Sequence, residues 1–275
     1  MSKLLLPPVE GRLREVRLLA DRLDAAFTPV RFPQNPDLVF RRISFAFHRL
    51  VLSSAQTNTS PGPEKLSHVT LTFEIKPESY PPTNIHVLIG RNGVGKTRTL
   101  NLMSRSLFAN ENTSKSTGKF QTGIKELTDE IPFANMVSVS FSAFDDFELL
   151  SEQRDKSSGV HYTYIGLRRT TNLGSEKGTP KTPDMLAREF VSSVNACLSG
   201  ATRERWRRSL EILETDPIFK EAEIAQLSEL TDLKELDKEA VSKFRKLSSG
   251  HKIVLLSITR LVESVEEKTL VLLDE

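Results

Sequence analysis

A glycine-rich stretch carries the clearest chemistry in the sequence. Residues 90–97 read Gly-Arg-Asn-Gly-Val-Gly-Lys-Thr and match the pattern G-x-x-x-x-G-K-[ST]. Glycines allow successive backbone N–H groups to turn inward around phosphate oxygens, because no Cβ blocks the approach. The N-terminus of a following helix adds the positive end of its dipole. The stretch therefore predicts a loop that binds the phosphates of a nucleotide.

The side chains of this loop predict contacts with both the phosphates and a metal ion. Lys96 would bring a flexible positive charge to the β- and γ-phosphates, and the Thr97 hydroxyl would ligate Mg²⁺. A glycine-rich turn without a ligand is the alternative, and the flanking strand and helix patterns argue against it. The other predicted nucleotide-binding residues are Gly90, Asn92, Gly93, Gly95 and Arg98.

Two carboxylates follow a second apolar segment far along the chain. Residues 269–275 read Thr-Leu-Val-Leu-Leu-Asp-Glu, which predicts a short core strand. If that strand lies beside the phosphate loop, Asp274 would complete the Mg²⁺ shell and Glu275 would polarise the attacking water. An apolar strand ending in two carboxylates is also common without any function, so both interpretations stay open on the residues alone.

The apolar periodicity predicts the elements that position these residues. Residues 43–47 and 69–75 alternate between apolar and polar, which predicts half-buried antiparallel strands. Residues 85–89 are nearly all apolar and predict a buried strand that runs into the loop. Residues 136–141 predict another core strand, and the leucines and methionine after Thr97 follow a helical pattern.

Helical patterns dominate two other parts of the chain. Residues 11–27 have apolar side chains on one face, so this helix either packs on its own domain or binds a partner. Residues 183–198 and 202–213 also predict helices. The segment that contains these helices is too short, and its heptad repeats are too irregular, for a long coiled coil. A compact helical lid fits better.

Composition excludes several classes of protein. The 275 residues include 38 Lys and Arg against 36 Asp and Glu, so the net charge of +2 gives no general affinity for nucleic acid. Cys197 is the one cysteine, which rules out an internal disulfide and favours a reducing compartment. No apolar run approaches the roughly 18 residues of a membrane span. We therefore expect a cytoplasmic protein without a membrane partner.

A further motif links these elements to a known family. Residues 247–252 read Leu-Ser-Ser-Gly-His-Lys and precede a helical pattern, shortly before the strand that ends in Asp-Glu. A phosphate loop, a distant L-S-x-G turn and such a strand, in this order, resemble the ATP-binding-cassette (ABC) class of ATPase. The resemblance implies an α/β P-loop NTPase core of ABC type, with a mixed sheet, an antiparallel β layer and a helical lid insertion.

The resemblance also implies an activity and a partner. It implies an ATP hydrolase with ATP and Mg²⁺ as cofactors, acting as a head-to-tail dimer with a second copy of itself. In that family the signature turn of one copy closes over the γ-phosphate held by the other. Carried to this sequence, Ser248, Ser249 and Gly250 would make the trans contact. An ordinary helix N-cap remains the alternative for this turn.

This sequence departs from the family pattern at several positions. Ser249 stands where a glycine is usual and His251 where a glutamine is usual. The glutamine expected after the second core strand is also missing, and Ser142 or Asp145 could substitute for it. The family's D-loop and switch histidine would follow Glu275, so these 275 residues are expected to be a truncated ATPase that binds nucleotide but hydrolyses it poorly.

The expected domain organisation follows from the motifs. Residues 1–39 are predicted to form an N-terminal helix and connector, and residues 40–147 the ATPase core with the phosphate loop. Residues 148–245 are predicted to form the helical lid. Residues 246–275 would return to the core as the signature helix and the strand bearing Asp274.

Within the ABC class, the chain is similar to the prokaryotic AAA-type group related to RecF, SMC-like heads and the overcoming-lysogenization-defect nucleases. Members of that group act in DNA repair and phage defence, commonly beside a nuclease. A nuclease or other effector and DNA are thus implied as partners, with an antiviral role. The alternatives are a non-catalytic nucleotide-binding fragment or, less favoured by the motif spacing, the ATPase subunit of a membrane transporter.

One segment could by itself contact DNA. Four arginines flank Trp206 between residues 203 and 208. Such a patch could follow phosphates while Trp206 stacks on a base. Nearby glutamates make a charged, solvated helix face the favoured interpretation.

Overall fold

A computed structural model of the chain gives two compact units. The sheet unit comprises the described residues between 42 and 180 together with 265–274, and the helical unit comprises residues 181–264. The predicted helix at 11–27 lies outside the described residues. The structure describes residues 42–51, 65–74, 84–108, 117–122, 133–142, 149–150, 159–170 and 178–274.

The first sheet of the sheet unit is antiparallel. Strands β1 (Arg42–Val51), β2 (Lys65–Glu74) and β3 (Lys119–Thr122) lie in the order β2-β1-β3. In register, Phe45 lies opposite Leu71 of β2 and Phe120 of β3. The alternating residues at 43–47 and 69–74 thus lie in two paired strands, as their period of two requires.

The second sheet is parallel and forms the centre of the sheet unit. Strands β4 (Asn135–Ser140), β5 (His161–Gly166) and β6 (Thr269–Asp274) lie in the order β5-β4-β6. β4 and β5 are buried along most of their length, as expected for parallel strands covered on both faces. Helix α1 (Lys96–Ser106) and the residue after it bury Met103 and Leu107 in the same apolar cluster as Leu272.

The predicted buried strand at 85–89 is corrected by the structure. Residues 85–90 belong to no strand, and the exposed fraction is 57% for Val87 and 87% for Ile89. An apolar run becomes a strand only when neighbouring backbones pair with it. Within the described residues, β6 pairs with β4 alone, and the strands form two separate sheets instead of the predicted mixed one.

The helical unit is built from short helices with strong start signals. Thr182 accepts a hydrogen bond from the Met185 N–H at 3.3 Å, and Asp232 accepts one from Lys234 at 2.8 Å, so both residues cap helices. Proline at the first position starts two of the helices. The helices are α2 (Pro183–Ala196), α3 (Gly200–Leu213), α4 (Pro217–Glu221), a 3₁₀ helix (Ile224–Ser228), α5 (Leu233–Lys246) and α6 (Ser249–Ser264).

The helical unit has its own hydrophobic core. The rings of Phe190 and Phe244 stack with centroids 4.8 Å apart. Trp206 is fully buried, and its indole N–H donates to the Thr259 hydroxyl at 3.2 Å. A buried polar ring edge with a partner is the usual arrangement for tryptophan.

The boundaries of this unit differ from the predicted lid at 148–245. β5 lies inside that range and belongs to the parallel sheet, whereas α6 lies outside it and belongs to the helical unit. The aromatic and β-branched residues 162–165 explain the difference, because they favour a strand. The described helical unit therefore extends over 181–264.

Candidate phosphate-binding site

The glycine-rich loop lies directly before α1. Gly93 and Gly95 have φ angles of +78° and +97°, in the left-handed region that side chains disfavour. Gly95 is the N-cap of α1, so the first N–H groups of the helix follow immediately. Residues 90–94 are exposed. An anion can therefore approach the free N–H groups at the start of α1.

Lys96 folds back across this loop. Its Nζ donates to the Gly90 carbonyl oxygen at 2.9 Å and lies 3.4 Å from the Arg91 carbonyl oxygen. A phosphate oxygen is a stronger partner for an ammonium group than a neutral carbonyl. The lysine side chain is thus positioned at the loop and able to exchange these carbonyls for a phosphate.

The two predicted magnesium ligands are in contact. Thr97 Oγ1 donates to Asp274 Oδ1 at 3.2 Å, and both side chains are half-buried. Hydroxyl and carboxylate oxygens suit Mg²⁺, which keeps several waters and binds substrate phosphates. Within the described ranges, no group of three or more His, Cys, Asp or Glu could hold a metal by itself. Phosphate and water oxygens would complete the shell.

A small cavity lined by both polar and apolar side chains lies beside this pair. Ser140, Tyr164 and Arg168 are among the residues that line it with Thr97 and Asp274. Its volume of about 60 Å³ has room for a few waters but not for a nucleotide.

Sequence reasoning missed the residues that shape this cavity. The Tyr164 hydroxyl donates to the Ser140 carbonyl oxygen at 3.1 Å, and Arg168 Nε donates to the Gly178 carbonyl oxygen at 3.1 Å. A Cβ at Gly166 would lie 2.0 Å from the Ser140 carbonyl oxygen, so only glycine fits there. The signal in the sequence was an aromatic strand followed closely by Arg168. Parallel strands end at the same edge of a sheet, so residues just after this strand could be expected near Asp274.

The remaining predicted loop residues are exposed. Asn92 lies in the loop and Arg98 on the outer side of α1, both open to solvent. Ser142 is half-buried just after β4. Glu275 and Asp145 lie outside the described residues.

The predicted signature turn starts α6 in the helical unit. The Ser248 carbonyl oxygen accepts the Lys252 N–H at 2.9 Å, and its hydroxyl accepts the His251 N–H at 3.4 Å. Ser248 is therefore the N-cap. Ser248, Ser249 and Gly250 are all exposed.

The arginine-rich segment in α3 forms an ion-paired helix face, the interpretation that the sequence favoured over a stacking site. Trp206 is fully buried, so the interpretation that it stacks on a base is wrong. Arg207 pairs with Glu204 at 2.8 Å and with Glu211, and its hydrogen bond lowers the pKa of Glu204. Arg203 donates to the Ser228 carbonyl oxygen at 2.9 Å. This face is an ion-paired helix surface.

Comparison with known proteins places these residues in a family. Residues 79–275 match the profile described as ABC transporter, and this range contains the loop, the signature turn and the Thr97–Asp274 pair. The chain belongs to this family. It is therefore an ATP-binding P-loop ATPase domain of ABC type, and the α/β fold agrees with that assignment. Family members are ATPases and typically bind ATP with Mg²⁺.

One curated relative comes from a bacteriophage. Protein ea59 of Escherichia phage lambda is 36% identical over 242 residues, which cover 81% of this chain and 44% of the phage protein. The chain thus spans less than half the length of this relative. No solved structure shows a significant match. In the described part of this ABC-family chain, none of the helices has the length and apolar character needed to cross a bilayer.

Proposed function

We propose that this chain is an ATP-dependent dimerising ATPase head. Two copies would associate head to tail, with the loop at 90–97 of one copy and the turn at 248–250 of the other enclosing ATP and Mg²⁺. The contact between Thr97 and Asp274 carries the proposal, because it joins the two magnesium ligands at the helix N-terminus where phosphates would bind.

The residues of the site have separate tasks. Gly93 and Gly95 free the loop N–H groups for phosphate oxygens, and Lys96 neutralises the β- and γ-phosphates. Thr97 and Asp274 would hold Mg²⁺, which would neutralise negative charge on the β- and γ-phosphates. Glu275 is assigned by family resemblance as the residue that polarises the attacking water.

The remaining elements take roles in the same proposal. We assign β1–β3 to the antiparallel β layer of an ABC-type fold and the helical unit to its lid. The exposed start of α6 supports a contact between copies, since its hydroxyl and N–H groups suit an anion. The partner at this surface is a second copy of the chain.

The proposed head couples ATP binding or hydrolysis to a DNA-transaction or phage-defence complex in the cytoplasm, beside a nuclease or other effector. The sequence resemblance to the RecF-related group supports this assignment, and the similarity to a phage protein fits it. The buried Trp206 removes one candidate DNA contact, so any contact of the complex with DNA is assigned to other surfaces or to the effector.

The test is the mass of the purified chain with different nucleotides. Sedimentation velocity should show dimers with Mg²⁺ and a non-hydrolysable ATP analogue, and monomers with AMP. Lys96→Ala should stay monomeric in both conditions. A chain that binds the analogue at this loop and remains monomeric at all concentrations would contradict the proposal.

A further inference from the structure

Arg168 lies at the same edge of the parallel sheet as Asp274. In the register of the sheet, Ser140 at the end of β4 pairs with Gly166 of β5 on one side and with Asp274 of β6 on the other. Neighbouring strands lie about 4.8 Å apart, so the ends of β5 and β6 are separated by only about 10 Å. Arg168 follows the end of β5 by two residues, so its long side chain starts close to the predicted metal ligand.

The position of Arg168 is fixed by its backbone and by its side chain. Arg168 forms an antiparallel bridge with Pro180, and the Arg169 N–H donates to the Thr179 carbonyl oxygen at 2.9 Å. Arg168 Nε donates to the Gly178 carbonyl oxygen at 3.1 Å. One N–H group of the guanidinium thus anchors the side chain, and the other four belong to its two terminal nitrogens.

Arg168 shares a cavity with both predicted magnesium ligands. Thr97, Asp274 and Arg168 are half-buried and line the cavity of about 60 Å³ described above. Of the described residues that line it, Arg168 is the one cation and Asp274 the one anion. A guanidinium can bind two phosphate oxygens at once and stays charged in proteins. The cavity therefore presents a fixed positive charge beside the place where a metal ion would bind.

The cavity lies beyond the phosphate loop. None of the loop residues 90–96 lines it, and Thr97 is the first residue of the motif that does. A metal ion held by Thr97 and Asp274 would bridge the β- and γ-phosphates. The loop N–H groups and Lys96 already serve the β-phosphate, so the group nearest to Arg168 would be the γ-phosphate.

We propose that Arg168 is a specificity-determining residue that binds the γ-phosphate held in its own copy of the chain and so favours ATP over ADP. The inference rests on the proposed function, because that function supplies the nucleotide. A purely structural role, through the hydrogen bond to Gly178, would affect the binding of both nucleotides alike.

The experiment compares a non-hydrolysable ATP analogue with ADP, each titrated with Mg²⁺ at concentrations where the chain stays monomeric. Arg168→Gln keeps an N–H donor for the Gly178 carbonyl but removes the charge. We expect its preference for the analogue over ADP to fall about tenfold, because a charge-assisted hydrogen bond to the γ-phosphate is lost. Its affinity for ADP should stay within about twofold of the original. Arg168→Lys keeps the charge and should retain the preference within about threefold.

Two controls separate a phosphate contact from other effects. Arg169→Gln removes the same charge at the next residue, which is not among the described residues that line the cavity, and it should keep the original preference. In EDTA, Arg168→Gln should still lose affinity for the analogue, because the guanidinium contacts the phosphate directly. A loss that appears only in Mg²⁺ would show that Arg168 acts through Asp274 and would overturn the proposal.

Failure of this inference differs from failure of the proposed function. An original chain that binds neither nucleotide at the loop would overturn both. A chain that binds the analogue and associates with it, but shows unchanged preference in Arg168→Gln or equal losses for both nucleotides, would overturn the role of Arg168 alone. If Arg168→Gln does not fold, Arg168→Met takes its place. If neither folds, a folded Arg168→Lys that binds both nucleotides equally would overturn the proposal, and one that prefers the analogue would support it.

Discussion

Thr97 Oγ1 and Asp274 Oδ1 lie 3.2 Å apart although 177 positions separate the two residues in the chain. The first turn of α1 and the end of β6 thus bring a hydroxyl and a carboxylate together. The two oxygens already lie at the spacing of neighbouring ligands in an oxygen-coordinated metal site. If these two residues ligate Mg²⁺ as proposed, their oxygens already lie side by side for it.

This pair predicts a magnesium-specific loss on substitution. Thr97→Val, which keeps the side-chain shape, should lower affinity for a fluorescent ATP analogue about tenfold or more in Mg²⁺. In EDTA the variant and the original chain should bind alike. Thr97→Ser keeps the hydroxyl and is the matched control. Equal losses with and without Mg²⁺ would show that Thr97 does not act through the metal.

Lys96 predicts a separation between binding and stability. Its hydrogen bonds to loop carbonyls are exposed, so Lys96→Ala should change the free energy of unfolding by no more than about 0.5 kcal/mol. Binding of the ATP analogue should fall about tenfold or more, because the phosphate loses its cation. Parallel urea denaturation and fluorescence titrations test both statements. A stable variant with unchanged affinity would contradict the role of Lys96.

The backbone conformation of Gly95 predicts that a side chain at this position lowers the stability of the chain, even though there is space for it. A Cβ at this position meets no atom within 4 Å, but the φ angle is +97°. Gly95→Ala should therefore destabilise the chain by about 1–2 kcal/mol. Gly250→Ala, in the first turn of α6 and also without a neighbour within 4 Å, should cost nothing or stabilise slightly. Urea denaturation of both variants checks the contrast.

The burial of Trp206 predicts that its fluorescence does not respond to nucleic acid. The sequence contains one tryptophan, and it is fully buried with its N–H bonded to Thr259. Its emission should lie at short wavelength, resist quenching by iodide and stay constant when single-stranded DNA is added. Quenching by DNA in the folded chain would restore the stacking interpretation.

Cys197 predicts a stability change at alkaline pH. Burial raises the pKa of its thiol from 9.0 to about 12, and Glu263 acts in the same direction. Between these values the unfolded chain loses the proton while the folded chain keeps it, so stability falls as pH rises above 9. By pH 10 this should remove on the order of 1 kcal/mol relative to Cys197→Ala. Urea denaturation of both chains at pH 8 and 10 measures the difference. An equal change in the free energy of unfolding for the two chains would contradict the prediction.

The sequence predicted the phosphate loop and the helix after it better than their surroundings. Local spacing was sufficient for the loop, because glycine, lysine and threonine act there through the backbone turn and the start of α1. The family assignment is confirmed by the match over residues 79–275. The roles given to individual residues of the site stay predictions.

Long-range pairing could not be predicted from the same patterns. The apolar residues 85–89 look like a core strand, yet whether they pair depends on a neighbouring backbone that no local pattern specifies. Trp206 among arginines left base stacking open as an alternative, because the helix pattern does not show which face packs against α6.

The separate cores suggest an order of assembly. Helices of the segment 181–264 find their partners among near neighbours, and such local contacts form quickly. The parallel sheet is complete only when β6 pairs with β4, and the whole segment 181–264 lies between these two strands in the chain. We therefore expect a refolding chain to acquire helical circular dichroism well before it gains the ability to retain Mg²⁺-nucleotide.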